Sequence, residues 1–239
     1  MVSKNFVSAM GRLESASPGD LHGPFLSVFP VTGVAVSTLG DFLGSETVSA
    51  SDGQAARLDE LQFDLGEGPC WDAMKGGGAI LEPDIKRHPR RMWPAFSEAI
   101  ANDQVSALFA FPLAIGPLHI GAVDMYSAVP MELGADQERE AHAMAGLVGR
   151  RVLRQALTRI GSETGNEDEV DRGNVFSRRV IHQATGMVLA QLNISAEDAQ
   201  LVIRGHAFAT SRSMMDIARD IVDRRMDFSN DETGIEVSQ

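Results

Sequence analysis

Side chains able to do chemistry are few in this chain, and their spacing is loose. The single cysteine, Cys70, could serve as a nucleophile, a thiol sensor or a chromophore attachment only with its thiolate favoured by a helix N-terminus or nearby cations. No such neighbour is visible in the sequence, and a small buried hydrophobe is the other reading. One cysteine also rules out an intramolecular disulfide and a cysteine-based zinc cluster. The histidines, His22, His88, His119, His142, His182 and His206, never stand at HExxH or another close metal-ligand spacing. Asp72 and Asp124 have no evident partner for acid–base work, and surface or capping duty is expected of them. Gly76 to Gly78 match neither GxxxxGK[ST] nor a GxGxxG that opens a helix. No catalytic constellation, metal site or cofactor can therefore be assigned, and the chain is expected not to be an enzyme. Trp71, Trp93, Phe109, Phe111 and Tyr126 could line an apolar ligand pocket; the alternative is that they fill a core.

Charge is more informative. The net charge of −12 argues against a generic nucleic-acid coat, because phosphate binding depends on Lys and Arg displacing counterions. The acidity is uneven, however. Residues 1–173 hold 14 basic and 24 acidic groups, residues 174–225 hold 7 and 5, and residues 226–239 hold 0 and 4. A modestly basic segment thus lies between acidic flanks. Its Arg178, Arg179, Arg204 and Arg212 are candidates for phosphate or base contacts, against the alternative that they solvate exposed helices.

The elements that would position these residues fall into two groups. Phe6, Met10 and Leu13 mark one face of a short helix ended by Pro18-Gly19. Gly33 to Leu39 and Glu46 to Ala50 form strands about a turn at residues 40–45. Ala55, Leu58, Leu61 and Leu65 form a helical stripe closed by Gly66. A strand at 79–82, a helix opened by Pro94, and apolar strands at 108–115 and 119–126 follow. Ala141, Met144, Val148 and Val152 then mark a long amphipathic helix. Residues 161–173, GSETGNEDEVDRG, read as an acidic linker.

Beyond the linker, Val180, Ala184, Met187 and Val188 share a helical face. Gly186 inside that helix is expected to admit a close neighbour, forming a small-residue groove with Ala190. Ser195-Ala-Glu-Asp198 and Ser213-Met-Met-Asp216 start two further helices, each with a capping serine. These present Ala199, Ile203 and Ala207, and then Met214, Ile217, Ala218 and Ile221, toward a shared core.

Strand pairs with helices between them and no βαβ alternation predict an α+β fold built on an antiparallel sheet. The segments LGEGPCWDAM (65–74), WPAFSEAI (93–100) and FAFPLAIGPLHIGAVDMYS (109–127) resemble the GAF domains that actinobacterial regulators carry ahead of an ANTAR domain. The three-helix stretch, with Arg178, Ile181, Ala184, Gly186, Ala199, Ala207, Arg212, Ile217 and Ala218, looks like the ANTAR domain itself. The resemblance implies a GAF-like sensory or dimerisation domain at 5–157, a linker at 158–173, an all-α RNA-binding bundle at 174–226 and a tail at 227–239, for which no order is expected. Ala184, Gly186, Ala199, Ala207 and Ala218 would be its packing positions.

The function this implies is signal-responsive transcription antitermination by a homodimer that binds paired RNA hairpins of leader transcripts, with a small molecule as candidate ligand of the GAF-like domain. Two positions depart from the family pattern. Thr185 stands where many relatives have a lysine, and His206 where they commonly have an aromatic residue. The alternative function is a protein-interaction module whose three helices dock on another regulator. A DNA-reading helix-turn-helix is disfavoured by the Met and Asp residues that open the third helix. The chain has no apolar run of about 18 residues, and its N-terminus lacks a basic region followed by an apolar core. A cytoplasmic location is expected, without membrane contact.

Overall fold

The computed structural model describes residues 4–40, 43–87, 92–161, 179–210, 212–231 and 234–238. It divides into two units, Met1–Phe176 and Ser177–Gln239.

In the first unit the helices are α1 (Lys4–Ser15), α2 (Gly23–Leu26), α3 (Gly53–Leu65), α4 (Pro69–Gly76), α5 (Pro94–Ala99) and α6 (Ala135–Gly161). The strands are β1 (Gly33–Thr38), β2 (Glu46–Ala50), β3 (Ile80–Glu82), β4 (Ala107–Ile115) and β5 (Leu118–Ser127). All neighbouring strands pair antiparallel, in the order β2-β1-β5-β4-β3. The interior strand β1 is buried at every position, so both of its faces are covered. One face, with Val34, Val36, Phe111 and Val123, packs in a core with Leu13, Met144 and Val148 of α1 and α6. The other, with Ala35, Leu108 and Tyr126, packs with Leu58, Trp93 and Phe96.

Local chemistry explains the helix limits. Asp52 caps α3 by accepting the Ala55 N–H at 2.9 Å, and Gly66 ends it in the left-handed region at φ 66°. Helix α4 begins at Pro69 and ends at Gly77, φ 68°. No helix was expected over Pro69–Gly76, because its glycine-rich surroundings mask the Pro start and Gly stop. At Gly121, φ 158°, a Cβ would stand 2.0 Å from the Ser37 carbonyl oxygen, so only glycine lets β5 lie this close to β1.

The second unit contains α7 (Arg179–Leu192), α8 (Ala196–Thr210) and α9 (Met214–Val222), followed by a hairpin of β6 (Asp227–Asp231) and β7 (Gly234–Ser238). Asn193, at φ 52°, makes the turn between the first two helices. Ser195 accepts the Asp198 N–H at 3.0 Å and Ser213 accepts the Asp216 N–H at 3.1 Å, giving both later helices a capping serine. The core holds Ile181, Ala184, Val188, Ala199, Ile203, Met214, Ile217, Ala218 and Ile221.

The tail corrects an expectation. Residues 227–231 and 234–238 pair in register from Asp227↔Ser238 to Asp231↔Gly234. Met226 and Phe228 are buried, and the Gln191 side chain donates to Asp227 at 2.8 Å while accepting the Phe228 N–H at 3.2 Å. The hairpin is part of the unit's core. Gly186 is a second correction: it is exposed, as is Ala190, and a Cβ at Gly186 would meet nothing within 4 Å. Among the described residues nothing approaches Gly186 closely enough to need the missing side chain.

Candidate nucleic-acid interface and buried cavity

On its α3/α4 side the sheet of the first unit encloses a cavity of about 10 Å³, room for roughly one water. Ala55, Leu58, Gln62 and Pro69 line it from the helices, and Ala35, Leu108, Phe109, Asp124, Met125 and Tyr126 from the strands. Of the five aromatic candidates it unites Phe109 and Tyr126. The other three do not line it. Phe111 meets the His142 ring edge-on at 5.1 Å, Trp93 is buried and donates to Asp72 at 2.9 Å, and Trp71 donates to the Gln62 carbonyl at 2.7 Å.

The cavity's polar groups come from Gln62, Asp124 and Tyr126. Asp124, for which surface or capping duty was expected, has its Oδ2 sealed from solvent and without a hydrogen-bond partner among the described residues. Burial pushes its carboxyl well above the usual range, the charge of Asp59 adds to this, and a hydrogen bond from Gln62 partly offsets both. Gln62 also accepts the Cys70 N–H at 2.9 Å, which orients its amide. Asp59 is itself buried and accepts from the Thr47 hydroxyl. Tyr126 donates to Asp52 at 3.1 Å; burial and the Asp52 charge raise its phenol to about 12. Cys70 is fully buried, so its thiol is closed to solvent reagents. One signal in the sequence could have identified Asp124, namely a carboxylate set among apolar residues in a strand covered on both faces.

In the second unit, Arg178 lies outside the described residues, and Arg179 opens α7. Arg204 is half-buried on α8. Arg212 is exposed and bridges Asp220 at 2.5 Å, while Arg225 holds the other oxygen of that carboxylate at 2.8 Å and Asp223 at 2.7 Å. Hydrogen bonds from Arg212 and Arg225 hold the Asp220 carboxyl below its ordinary range. Arg219 pairs with Asp216 at 3.3 Å. Two arginines thus converge on one aspartate, and an incoming phosphate must compete with that carboxylate.

The two departures from the family pattern have different surroundings. Thr185 is buried and its hydroxyl donates to the Ile181 carbonyl at 2.8 Å, one helical turn back. His206 meets the Phe228 ring edge-on at 5.7 Å. Burial lowers its imidazole below the ordinary 6.5, and nearby Arg212 lowers it further. Ala184, Ala199, Ala207 and Ala218 are each at most 3% exposed, so the helices approach at small side chains.

Residues 172–222 match the ANTAR domain model. The hairpin therefore lies beyond the matched ANTAR region, although its Phe228 is in the same core. No curated protein matches the chain. Among solved structures the GAF domain of an Acinetobacter phosphoenolpyruvate-protein phosphotransferase is similar over 70% of this chain and 100% of its own, at 9% identity and a TM-score of 0.50. The chromophore-binding domain of a bacteriophytochrome from R. palustris gives 10%, 0.49 and coverage of 65% and 61%. The GAF domain of the corresponding phosphotransferase from Coxiella burnetii gives 12%, 0.48 and coverage of 65% and 97%. The fold of the chain is thus a GAF-like antiparallel sheet with flanking helices, followed by ANTAR helices. Among the described residues no helix is long and apolar enough to cross a membrane, and no group of three or more His, Cys, Asp or Glu could hold a metal.

Proposed function

We propose that this protein is a non-catalytic, signal-responsive regulator, active in the cytoplasm, whose ANTAR helices bind paired RNA hairpins of leader transcripts and favour read-through of a terminator. The observation that carries this reading is the ANTAR match over residues 172–222 in one chain with a GAF-like unit. Hairpin loops offer splayed bases and phosphates to arginine. Arg178, Arg179, Arg204 and Arg212 are the proposed contacts, and the protein acts as a homodimer. The buried cavity beside Asp124 is the proposed place of signal binding. It admits one water-sized species, so an organic signal molecule requires α3 or α4 to shift. Such a shift regulates RNA binding only if the signal and RNA favour the same conformational state.

The test is a gel-shift titration of the full chain against tandem hairpins at fixed salt, with Arg178→Ala and Arg212→Ala beside it. Wild type should prefer tandem hairpins over scrambled RNA, and each substitution should weaken binding. Equal binding to scrambled RNA refutes the assignment. The second reading, a protein-docking module, is favoured by the exposure of Leu201 and Phe208 on α8. Recovery of the chain with a protein partner and without nucleic acid would select it.

A further inference from the structure

The layer between α3 and the sheet holds more polar groups than its packing uses. Ala35 and Ser37 of β1 stand opposite Asp124 and Ala122 of β5, and Ser37 also stands opposite Thr47 of β2. Residues opposite one another in an antiparallel pair share a face. Ser37, Thr47 and Asp124 therefore lie on the face where Ala35 and Tyr126 pack with Leu58 of α3. From α3, Asp59 accepts from Thr47, and Gln62 donates to Asp124. Ser37 is 0% exposed, and neither its Oγ nor Asp124 Oδ2 has a hydrogen-bond partner among the described residues. Diagonal neighbours on adjacent strands are about 7–8 Å apart, a span that one small group can bridge. Unmet buried polar atoms are costly, so two of them beside one cavity point to a ligand.

The lining selects its chemistry. Gln62 already accepts the Cys70 N–H, and Tyr126 gives its hydroxyl proton to Asp52. What remains is acceptor capacity, at Asp124 Oδ2 and the Ser37 hydroxyl. Asp59 adds negative charge, and no lysine or arginine among the described residues shifts the Asp124 carboxyl. An anion would be repelled. A hard metal cation takes about six to eight oxygens, whereas the lining is apolar apart from Gln62, Asp124 and Tyr126. An ammonium group needs fewer acceptors and leaves its stem to carbon.

We propose that this cavity binds an ammonium group, either the free ion or the head of a small primary amine, with Asp124 as counter-ion and Ser37 as second acceptor. The inference rests on the cavity being the place of signal binding and names the class of signal; it does not rest on RNA recognition. The free ion matches the water-sized space, and a longer stem requires α3 or α4 to shift. Binding is coupled to a proton. Burial and Asp59 keep a proton on Asp124; the arriving ammonium replaces it, the carboxyl O–H bond breaks, and the proton passes to solvent. The other titratable groups nearby, Asp59 of α3, Cys70 of α4 and Tyr126 of β5, carry no positive charge. Affinity therefore rises with pH, by up to about tenfold per unit, until Asp124 is ionised.

The test is calorimetric titration of the full chain with ammonium and methylammonium chloride at constant ionic strength, in buffers of different ionisation enthalpy. Potassium, which cannot donate a hydrogen bond, and tetramethylammonium, which has no N–H, are the controls. The first two should bind saturably and release a proton at about pH 5, above the ordinary aspartate range; the controls should not bind. Asp124→Asn keeps the shape of a neutral carboxyl, so it should fold, weaken binding by about tenfold or more and abolish proton release. Ser37→Ala should weaken binding and leave proton release intact. No saturable binding, equal binding of potassium, or an Asp124→Asn chain that binds as tightly as wild type each overturns the proposal. A second arm adds tandem hairpins. If Asp124→Asn alters hairpin affinity while neither amine binds, the cavity signals through another ligand and this inference alone fails. Amine binding that leaves hairpin affinity unchanged supports the inference and removes the signalling reading.

Discussion

Replacing Phe228 by alanine should unfasten the ANTAR helices from their C-terminal hairpin. Phe228 is 3% exposed, lies edge-on to His206 at 5.7 Å and donates its N–H to Gln191. Truncating a buried phenylalanine costs about 3–5 kcal/mol. A unit running only from Ser177 to Gln239 has a total stability on the order of 3–9 kcal/mol at the usual 0.05–0.15 kcal/mol per residue. The loss is therefore comparable with the whole stability of the unit. Hydrogen exchange on the full chain is the direct assay: amides of α7 and α8 should lose protection by two to three orders of magnitude or more, about what such an energy implies. A second readout is the imidazole of His206, which burial holds below 6.5. Without the ring of Phe228 it should climb back toward that value in an NMR titration. In wild type the sign follows from linkage: the unfolded chain takes up the proton more readily, so stability falls as pH drops below 6.5 through the depressed value. Protection reduced by less than about tenfold, worth 1.4 kcal/mol, with the titration of His206 unmoved, would refute the claim that the hairpin supports the bundle.

Two other outcomes follow from the described geometry. The raised carboxyl of Asp124 keeps a proton in the folded state that the unfolded chain loses above 3.8, so stability should fall as pH rises through that window. Asp124→Asn should flatten the dependence, measurable as urea midpoints between about pH 4 and 8; an unchanged slope would mean that Asp124 is ionised in the fold. On the proposed function, Asp220→Asn should free Arg212 and Arg225 and tighten hairpin binding. The plot of log affinity against log salt should steepen by about 0.7 for each further phosphate that the freed arginines neutralise. Weaker binding would mean that Asp220 positions Arg212 for RNA and does not compete with it.

The strands of the GAF-like unit were legible because β-branched and apolar runs sit between turn residues, and the starts of α8 and α9 because each has a serine three residues before an aspartate. Helix α4 was missed because Pro69 and Gly77 delimit only two turns amid glycines. The hairpin was hidden by its acidic, polar composition, although Met226 and Phe228, and again Ile235 and Val237, stand at alternate positions. Gly186 misled for a different reason. Glycine permits close approach without requiring it, and only the fold shows that no described residue would meet a Cβ at this position. The alanines at the helix contacts could be named in advance because helix spacing places them on one face. The pairing of Arg212 with Asp220 could not, since the two residues meet across a helix junction.

The buried hairpin separates two things that affinity measurements usually conflate. Met226 and Phe228 lie beyond the arginines proposed to touch RNA, yet β6 packs on α7 and the Phe228 ring meets His206 on α8, the helix that carries Arg204. A random-mutation screen for lost RNA binding should therefore return tail positions alongside arginines. Cooling or a stabilising osmolyte would rescue the tail variants, whose defect is a smaller folded fraction, and would leave the arginine variants defective.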